Sequence, residues 1–424
     1  MSPTFRALNS RNYRLWLSGS MVSNIGTWMQ RVAQDWLVLT ILTHHSAQAV
    51  GITTGLQFLP VLLLAPYGGL IADRMSKRGL LMCTQLAMGV LALLLGVLVI
   101  TGTVQLWMVY LFALGLGVAT ALDNPARQTF VSEMVPREHL SNAVGLNSAT
   151  FNAGRLIGPG IAGLLIAWVG TGPVFIINAA SFGAVLISLW RMRVRELRIT
   201  PPTVRAKGQL RDGFRYVWHR PDIMLILVIV FAVGAFGLNF QMTTAFMATT
   251  VFHKGAGEYG ILGSIMAIGS LAGALLAARR EKPRMRHVVG AALAFGVFAA
   301  INSMMPTYWL FALTLIPVGL SALTMITSAN ATVQMSVEPA LRGRVMALYM
   351  AVFMGGTPIG SPIVGWIGES WGARWSILFG ALVTIATALG AILWLVRTRR
   401  VKLSPELIEI PHPRLHHDGA VIRS

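Results

Sequence analysis

The chain has 424 residues, of which 55% are hydrophobic and only 12% charged, with a mean hydropathy of +0.65; this excludes a soluble protein of its size. A net charge of +19 could suit a nucleic-acid binder, but the placement of the bases excludes that class. With a cytoplasmic N-terminus, the cytoplasmic segments hold 30 of the 34 Lys and Arg residues, the opposite side holds Lys254 and Arg374, and Arg31 and Arg155 fall inside apolar stretches. That is the positive-inside asymmetry of a polytopic membrane protein.

A spanning helix needs about 20 mostly apolar residues. Twelve windows qualify: 15–42, 49–72, 80–101, 106–124, 142–168, 173–192, 223–249, 257–278, 287–304, 308–328, 344–367 and 374–396. Met1 to Trp16 carries three arginines but no short apolar core with a cleavage site, so the first span is expected to be retained as an anchor. An even number of spans puts both termini in the cytoplasm. The expected organisation is an N-terminal six-helix bundle (1–192), a basic cytoplasmic linker (193–222), a C-terminal six-helix bundle (223–396) and a cytoplasmic tail (397–424).

In the first span, Asn24, Trp28, Arg31 and Asp35 step by four, three and four residues and share one helix face, which is expected to line a cavity. Of the fifteen acids, Asp35 is the one placed well inside a span. Low dielectric favours the neutral form of a carboxylate, which can then take up and release a proton as its exposure changes. Asp35, with Arg31, is therefore the proton-coupling candidate. A permanent Arg31–Asp35 ion pair that merely lets both charges live in the membrane is the bland alternative, and a substrate competing for Arg31 would reconcile the two.

Between the second and third windows runs Gly68-Gly69-Leu70-Ile71-Ala72-Asp73-Arg74-Met75-Ser76-Lys77-Arg78. Glycines permit close helix approach, while the acid and bases belong in water at the membrane face. The segment resembles the signature loop of the major facilitator superfamily, secondary transporters working by alternating access. That resemblance implies an all-α membrane protein of twelve helices in two pseudo-symmetric six-helix bundles, with the substrate site near the midplane between them. It also implies a cytoplasmic latch that includes Asp73, with Gly69, Arg74 and Arg78 in the same loop. The fourth window ends in Asp123-Asn124-Pro125-Ala126-Arg127-Gln128, where the proline is expected to end the helix; Asp123 and Arg127 read as gate elements, with Arg127 the nearest base for Asp73. Solvated surface pairs, worth about 0 to 1 kcal/mol, would explain the same charges.

The fifth window contains Gly145, Gly154, Gly158, Pro159 and Gly163, with alanine at 162. The spacing resembles the antiporter signature of facilitator-superfamily exporters, departing from it at Ala162; ordinary small-residue packing accounts for the glycines alone about as well. Asn152 and Arg155 on a neighbouring face are candidate substrate contacts. Arg155 could attract an anion, serve as counter-ion to Asp35, or satisfy carbonyls at a helix break.

Linker residues Leu210, Phe214 and Val217 fall at i, i+4 and i+7 beside several bases, suiting either a helix on the lipid surface or a solvated one. In the second half, Asn239 and Gln241 are candidate substrate contacts. Repeats support the division: Gly26 and Gln30 return as Gly237 and Gln241, Asn124 and Gln128 as Asn330 and Gln334, and Gly154 and Gly158 as Gly356 and Gly360. The second copy of the signature loop, Gly273 to Arg280, lacks the acid.

No phosphate loop, hydrolase elbow or metal-spaced His/Cys cluster is present, so no enzyme, cofactor or metal is expected and the drive is expected to be a proton gradient. Cys83 reads as a small apolar side chain, and His412, His416 and His417 as part of a solvated tail. Ser23 to Gln30, Gln34 to Leu37, Asp123 to Gln128 and Asn178 to Phe182 together resemble the transmembrane secretion-effector branch, which includes bacterial exporters similar to the enterobactin exporter. The resemblance implies a multi-pass inner-membrane exporter of a small organic molecule, a siderophore or drug-like compound, exchanged for protons. Its expected partners are the solute, protons and the bilayer, and it is expected to work as a monomer. Uptake, facilitated diffusion and a transport-inactive membrane partner or sensor are the alternatives.

Overall fold

The computed structural model describes residues 3–198, 209–278 and 284–397. Among these there is no strand. Helices α1 (Arg11–Trp36), α2 (Ala47–Arg74), α3 (Lys77–Ile100), α4 (Leu106–Met134), α5 (Leu140–Val169) and α6 (Thr171–Trp190) form the first group. A short amphipathic helix, α7 (Gln209–Trp218), leads to α8 (Pro221–Ala232), α9 (Phe240–Phe246), α10 (Ala256–Ala278), α11 (Met285–Ser303), α12 (Tyr308–Ser336), α13 (Pro339–Trp371) and α14 (Ala373–Arg397).

Among the described residues, eleven segments are apolar and long enough to cross a membrane by composition alone, α8 and α9 counting together. Helix α1 is the twelfth span and fails that test because Asn24, Gln30, Arg31, Gln34 and Asp35 interrupt it. Its 26 residues are nevertheless about 39 Å long, enough for a hydrocarbon core of about 30 Å.

Two expectations about helices are corrected. Pro125 does not end the fourth span; α4 continues to Met134. A proline removes one donor, and here the following turns are anchored by Phe130, Val131 and Met134, buried with Tyr13, Trp16 and Leu81. The seventh span is not one helix: after α8 it passes through a π-helical turn (Val233–Gly237) and non-helical Leu238 and Asn239, then α9 and a second π turn (Met247–Val251). Glycines at 234 and 237 loosen the backbone there. The Asn239 side chain donates to the Ala235 carbonyl at 2.7 Å, satisfying one of the groups the break releases.

Within the first group, α1 packs on α5 and α6, and α3 on α4 and α6; in the second, α12 packs on α10 and α11, and α14 on α11. The groups meet along α2–α13 and α5–α10. Small residues permit the closest approaches. A Cβ at Gly154 would lie 2.9 Å from the Asn24 carbonyl carbon on α1, and one at Gly356 would lie 2.8 Å from the Ala235 nitrogen in the broken span. The repeated Gly-x3-Gly pairs thus do the same packing job in each half.

Among the described residues, close cross-group contacts join the ends of α5 and α13 to the starts of α10 and α2. A Cβ at Gly163 would meet the Ala256 carbonyl at 2.6 Å, and one at Gly365 the Ala47 carbonyl at 2.6 Å. Glu369 of α13 accepts from Ser46 Oγ at 2.7 Å and from the Gln48 amide at 3.2 Å, capping the start of α2.

Candidate functional site

Between the two groups lies a cavity of about 410 Å³. Trp28, Arg31, Phe58, Phe151 and Arg155 line one side; Asn239, Gln241, Tyr259, Met266 and Phe353 line the other. Size and apolar character suit a small organic molecule.

The periodicity of α1 aims Trp28 and Arg31 into this space. The Arg31 guanidinium sits 4.9 Å from the Trp28 ring centroid and 5.8 Å from that of Phe58. From α5, the Arg155 guanidinium lies 5.8 Å from the same Trp28 ring. Each such contact is worth about 0.5 to 2 kcal/mol. The two positive charges are close enough to repel each other.

One turn beyond Arg31, Asp35 is 5% exposed. It feels the charge of Arg31, yet the two are not among the direct ion pairs of the described residues. Its neighbour across the seam is the Tyr259 hydroxyl of α10, whose one proton goes to the Gln241 carbonyl at 3.1 Å. The Tyr259 ring stacks on Trp36, with centroids 6.0 Å apart and 18° between planes. Asp35 therefore sits at the seam between the two groups.

The other buried acids differ. Asp123 accepts from Arg127 Nε at 2.8 Å, Thr84 Oγ1 at 2.7 Å and Gln85 Nε2 at 2.8 Å, and Glu133 pairs with Lys77. These contacts tie α3 to α4.

The predicted residues divide accordingly. Trp28, Arg31, Arg155, Asn239 and Gln241 line the cavity, and Asp35 lies beside it behind Tyr259. Asn24 and Asn152 are not among the lining residues: Asn24 backs onto Gly154, and Asn152 donates to the Ser148 carbonyl of its own helix at 2.8 Å. Gly69, Asp73 and Arg74 belong to the end of α2, where side chains lie outside the described residues, so the Asp73 latch lies outside them too. So do linker residues 199–208, Arg279 and Arg280 of the second signature copy, and the tail from 398. Arg78 donates to the Leu189 and Trp190 carbonyls at 2.7 and 3.3 Å, capping the end of α6. Arg127 is held by Asp123 and lies 5.2 Å from the Trp16 ring. In the glycine series, Gly154, Gly158 and Gly163 are tightly packed, Pro159 lines the cavity and adjoins Gly263, and Gly145 has open space.

Sequence reasoning did not find Tyr259, Phe58 or Phe353. Each is an aromatic that no polar helix-face pattern marks in the sequence. A buried amide pair was hidden inside the resemblance: Asn178 Nδ2 donates to Gln30 Oε1, and Ser181 Oγ donates to the Asn178 carbonyl at 2.7 Å. A Cβ at Gly26 would strike Asn178 and Ser181.

A family model described as transmembrane secretion effector matches residues 2–418. The chain belongs to that family. Similar proteins include the staphyloferrin A transporter of Staphylococcus aureus, 24% identical over 93% of this chain and 98% of that protein. The multidrug efflux pump Tap of Mycolicibacterium fortuitum is 26% identical over 92% and 96% of the two chains. The enterobactin exporter of Shigella flexneri is 25% identical over 87% and 88%. A crystal structure of a bacterial homologue of the human lysosomal transporter Spinster, inward-facing and unoccupied, matches with a TM-score of 0.69 at 14% identity, covering 93% of this chain and 96% of that one. That likeness concerns the fold. This secretion effector is thus an all-α membrane transporter of the major facilitator type, not an enzyme.

Proposed function

We propose that this transporter exports a small organic molecule, a siderophore or drug-like compound, across the bacterial inner membrane in exchange for protons, with Asp35 as the proton carrier. The observation that carries this reading is that Asp35, alone among the buried acids of the described spans, has no direct ion-pair partner and meets the opposite group through Tyr259. Separation of α1 from α10 would expose Asp35 at one face; closure would bury it. Siderophore and drug exporters among the relatives support the solute class and direction. With both termini cytoplasmic, in two six-helix halves joined by the linker and working as a monomer, the glycine seams close the far face and the cavity serves the cytoplasm.

Proton–solute cotransport is a second reading, favoured by the charges around the cavity. Two guanidiniums face one carboxylate, so a solute anion and a proton on Asp35 are electrostatically compatible partners.

The test uses purified protein in liposomes with a pH gradient and a panel of siderophores, lipophilic cations and antibiotics, for wild type and Asp35→Asn. Solute movement opposite to protons, lost in Asp35→Asn, supports exchange. Movement with protons supports the second reading, Asp35-independent movement a facilitator, and no movement of any solute a partner or sensor.

A further inference from the structure

Among the described residues, two arginines line the cavity. Arg78 and Arg374 donate to backbone carbonyls, Arg127 pairs with Asp123, Arg193 with Glu196 and Arg220 with Asp222. Arg31 and Arg155 lie on aromatic faces, with Asp35 acting on Arg31 only at a distance and each guanidinium in the other's field. A guanidinium carries five donors in a planar fork, and leaving such a group unpaired away from water is costly. Two on one indole add mutual repulsion.

An acceptor entering the cavity would relieve both penalties. Carboxylate geometry matches the guanidinium fork, whereas a cation would meet two like charges on the lining and reach Asp35 only past Tyr259. Phe58, Phe151, Phe240, Phe353 and Met354 line the same cavity with apolar surface that accepts an apolar body, and Asn239 and Gln241 add amides.

We infer that the substrate is an amphiphilic carboxylate whose anionic group is held by Arg31 and Arg155 over Trp28 and whose apolar body lies against the phenylalanines. This rests on the transporter reading, but on neither the direction of transport nor the role of Asp35.

The experiment is a binding measurement on the full chain in detergent without any gradient, so that failure here is separate from failure of proton coupling. Dansyl-glycine, pyrenebutyrate and a citrate monoanilide are titrated beside their amides, with tryptophan fluorescence and thermal stabilisation as readouts. At least one carboxylate is expected to bind about ten- to a hundredfold tighter than its amide, the scale of one charge-assisted hydrogen-bonded contact. Arg31→Gln and Arg155→Gln should each erase most of that preference, Arg155→Lys should keep part of it, and Asp35→Asn should retain it. The inference is overturned if no carboxylate outbinds its amide, if the preference survives Arg155→Gln in a protein that melts as wild type does, or if tetraphenylphosphonium binds better than every carboxylate.

Discussion

Asp35 on α1 and Tyr259 on α10 face each other across the seam between the two six-helix groups, and the same tyrosine is stacked on Trp36 and bonded to the Gln241 carbonyl at 3.1 Å. The contact couples a protonation state to the distance between the halves. With the tyrosine proton on Gln241, a neutral Asp35 can donate to the hydroxyl, whereas a charged one must draw that proton away from Gln241. Tyr259→Phe keeps the ring stack and removes the hydroxyl. Its transport rate under a pH gradient is expected to fall by about tenfold, as for loss of one hydrogen bond to a charged group, with an altered pH profile. Initial rates across pH in liposomes check this, and an unchanged profile would remove Tyr259 from coupling.

Asp35→Asn should separate coupling from translocation. The amide is nearly isosteric but carries no titrating proton. Gradient-driven accumulation is expected to vanish while exchange of labelled for unlabelled solute at equal concentrations continues. Loss of both would make Asp35 part of the structural frame instead.

The α5–α10 seam offers a test of which glycines matter. A Cβ on Gly260 would collide with the Pro159 carbonyl, whereas one on Gly145 meets nothing within 4 Å. Gly260→Ala is therefore expected to wedge open the face opposite the termini, and Gly145→Ala to leave the resting arrangement alone. Labelling of cysteines placed at that face, in a Cys83→Ser background, reports the difference. Equal labelling in the two variants would contradict it.

The first-span motif was legible because a polar face on an apolar helix has few explanations: Trp28 and Arg31 line the cavity and Asp35 sits behind it. The gate charges were less legible, since Asp123 and Arg127 in sequence do not reveal that Thr84 and Gln85 complete a tether within one half. Asn24 and Asn152 share a polar face with true lining residues, yet backbone packing and a bond to the preceding turn occupy them. Tyr259 was invisible, because a tyrosine beside Glu258 near the start of a span acquires meaning only from the helix opposite.

Asn178→Leu probes the amide pair between α1 and α6. It removes the donor that satisfies Gln30 and leaves a buried carbonyl oxygen unmatched. Hydrogen bonds between membrane helices average about 0.6 kcal/mol and reach about 1.7. A loss near the upper end is expected, because Gln30 is only 5% exposed and has little water to turn to. Thermal unfolding in detergent measures it, and a stability equal to wild type would show that the pair serves register rather than stability.

The sign of proton linkage decides between exchange and cotransport. A carboxylate on Arg31 cancels the positive charge that Asp35 feels and adds a negative one nearby, so it favours the neutral form of Asp35 and draws in a proton. A cationic solute reaching Asp35 does the reverse and expels one. In weakly buffered detergent solution, in the range where Asp35 titrates, exchange predicts that a binding carboxylate probe releases protons and cotransport that it takes them up, by up to about one proton per site, the limit for a single linked group. Asp35→Asn should abolish the signal while leaving binding intact. Uptake in wild type places proton and anion on the carrier together, which supports cotransport; proton release on binding supports exchange.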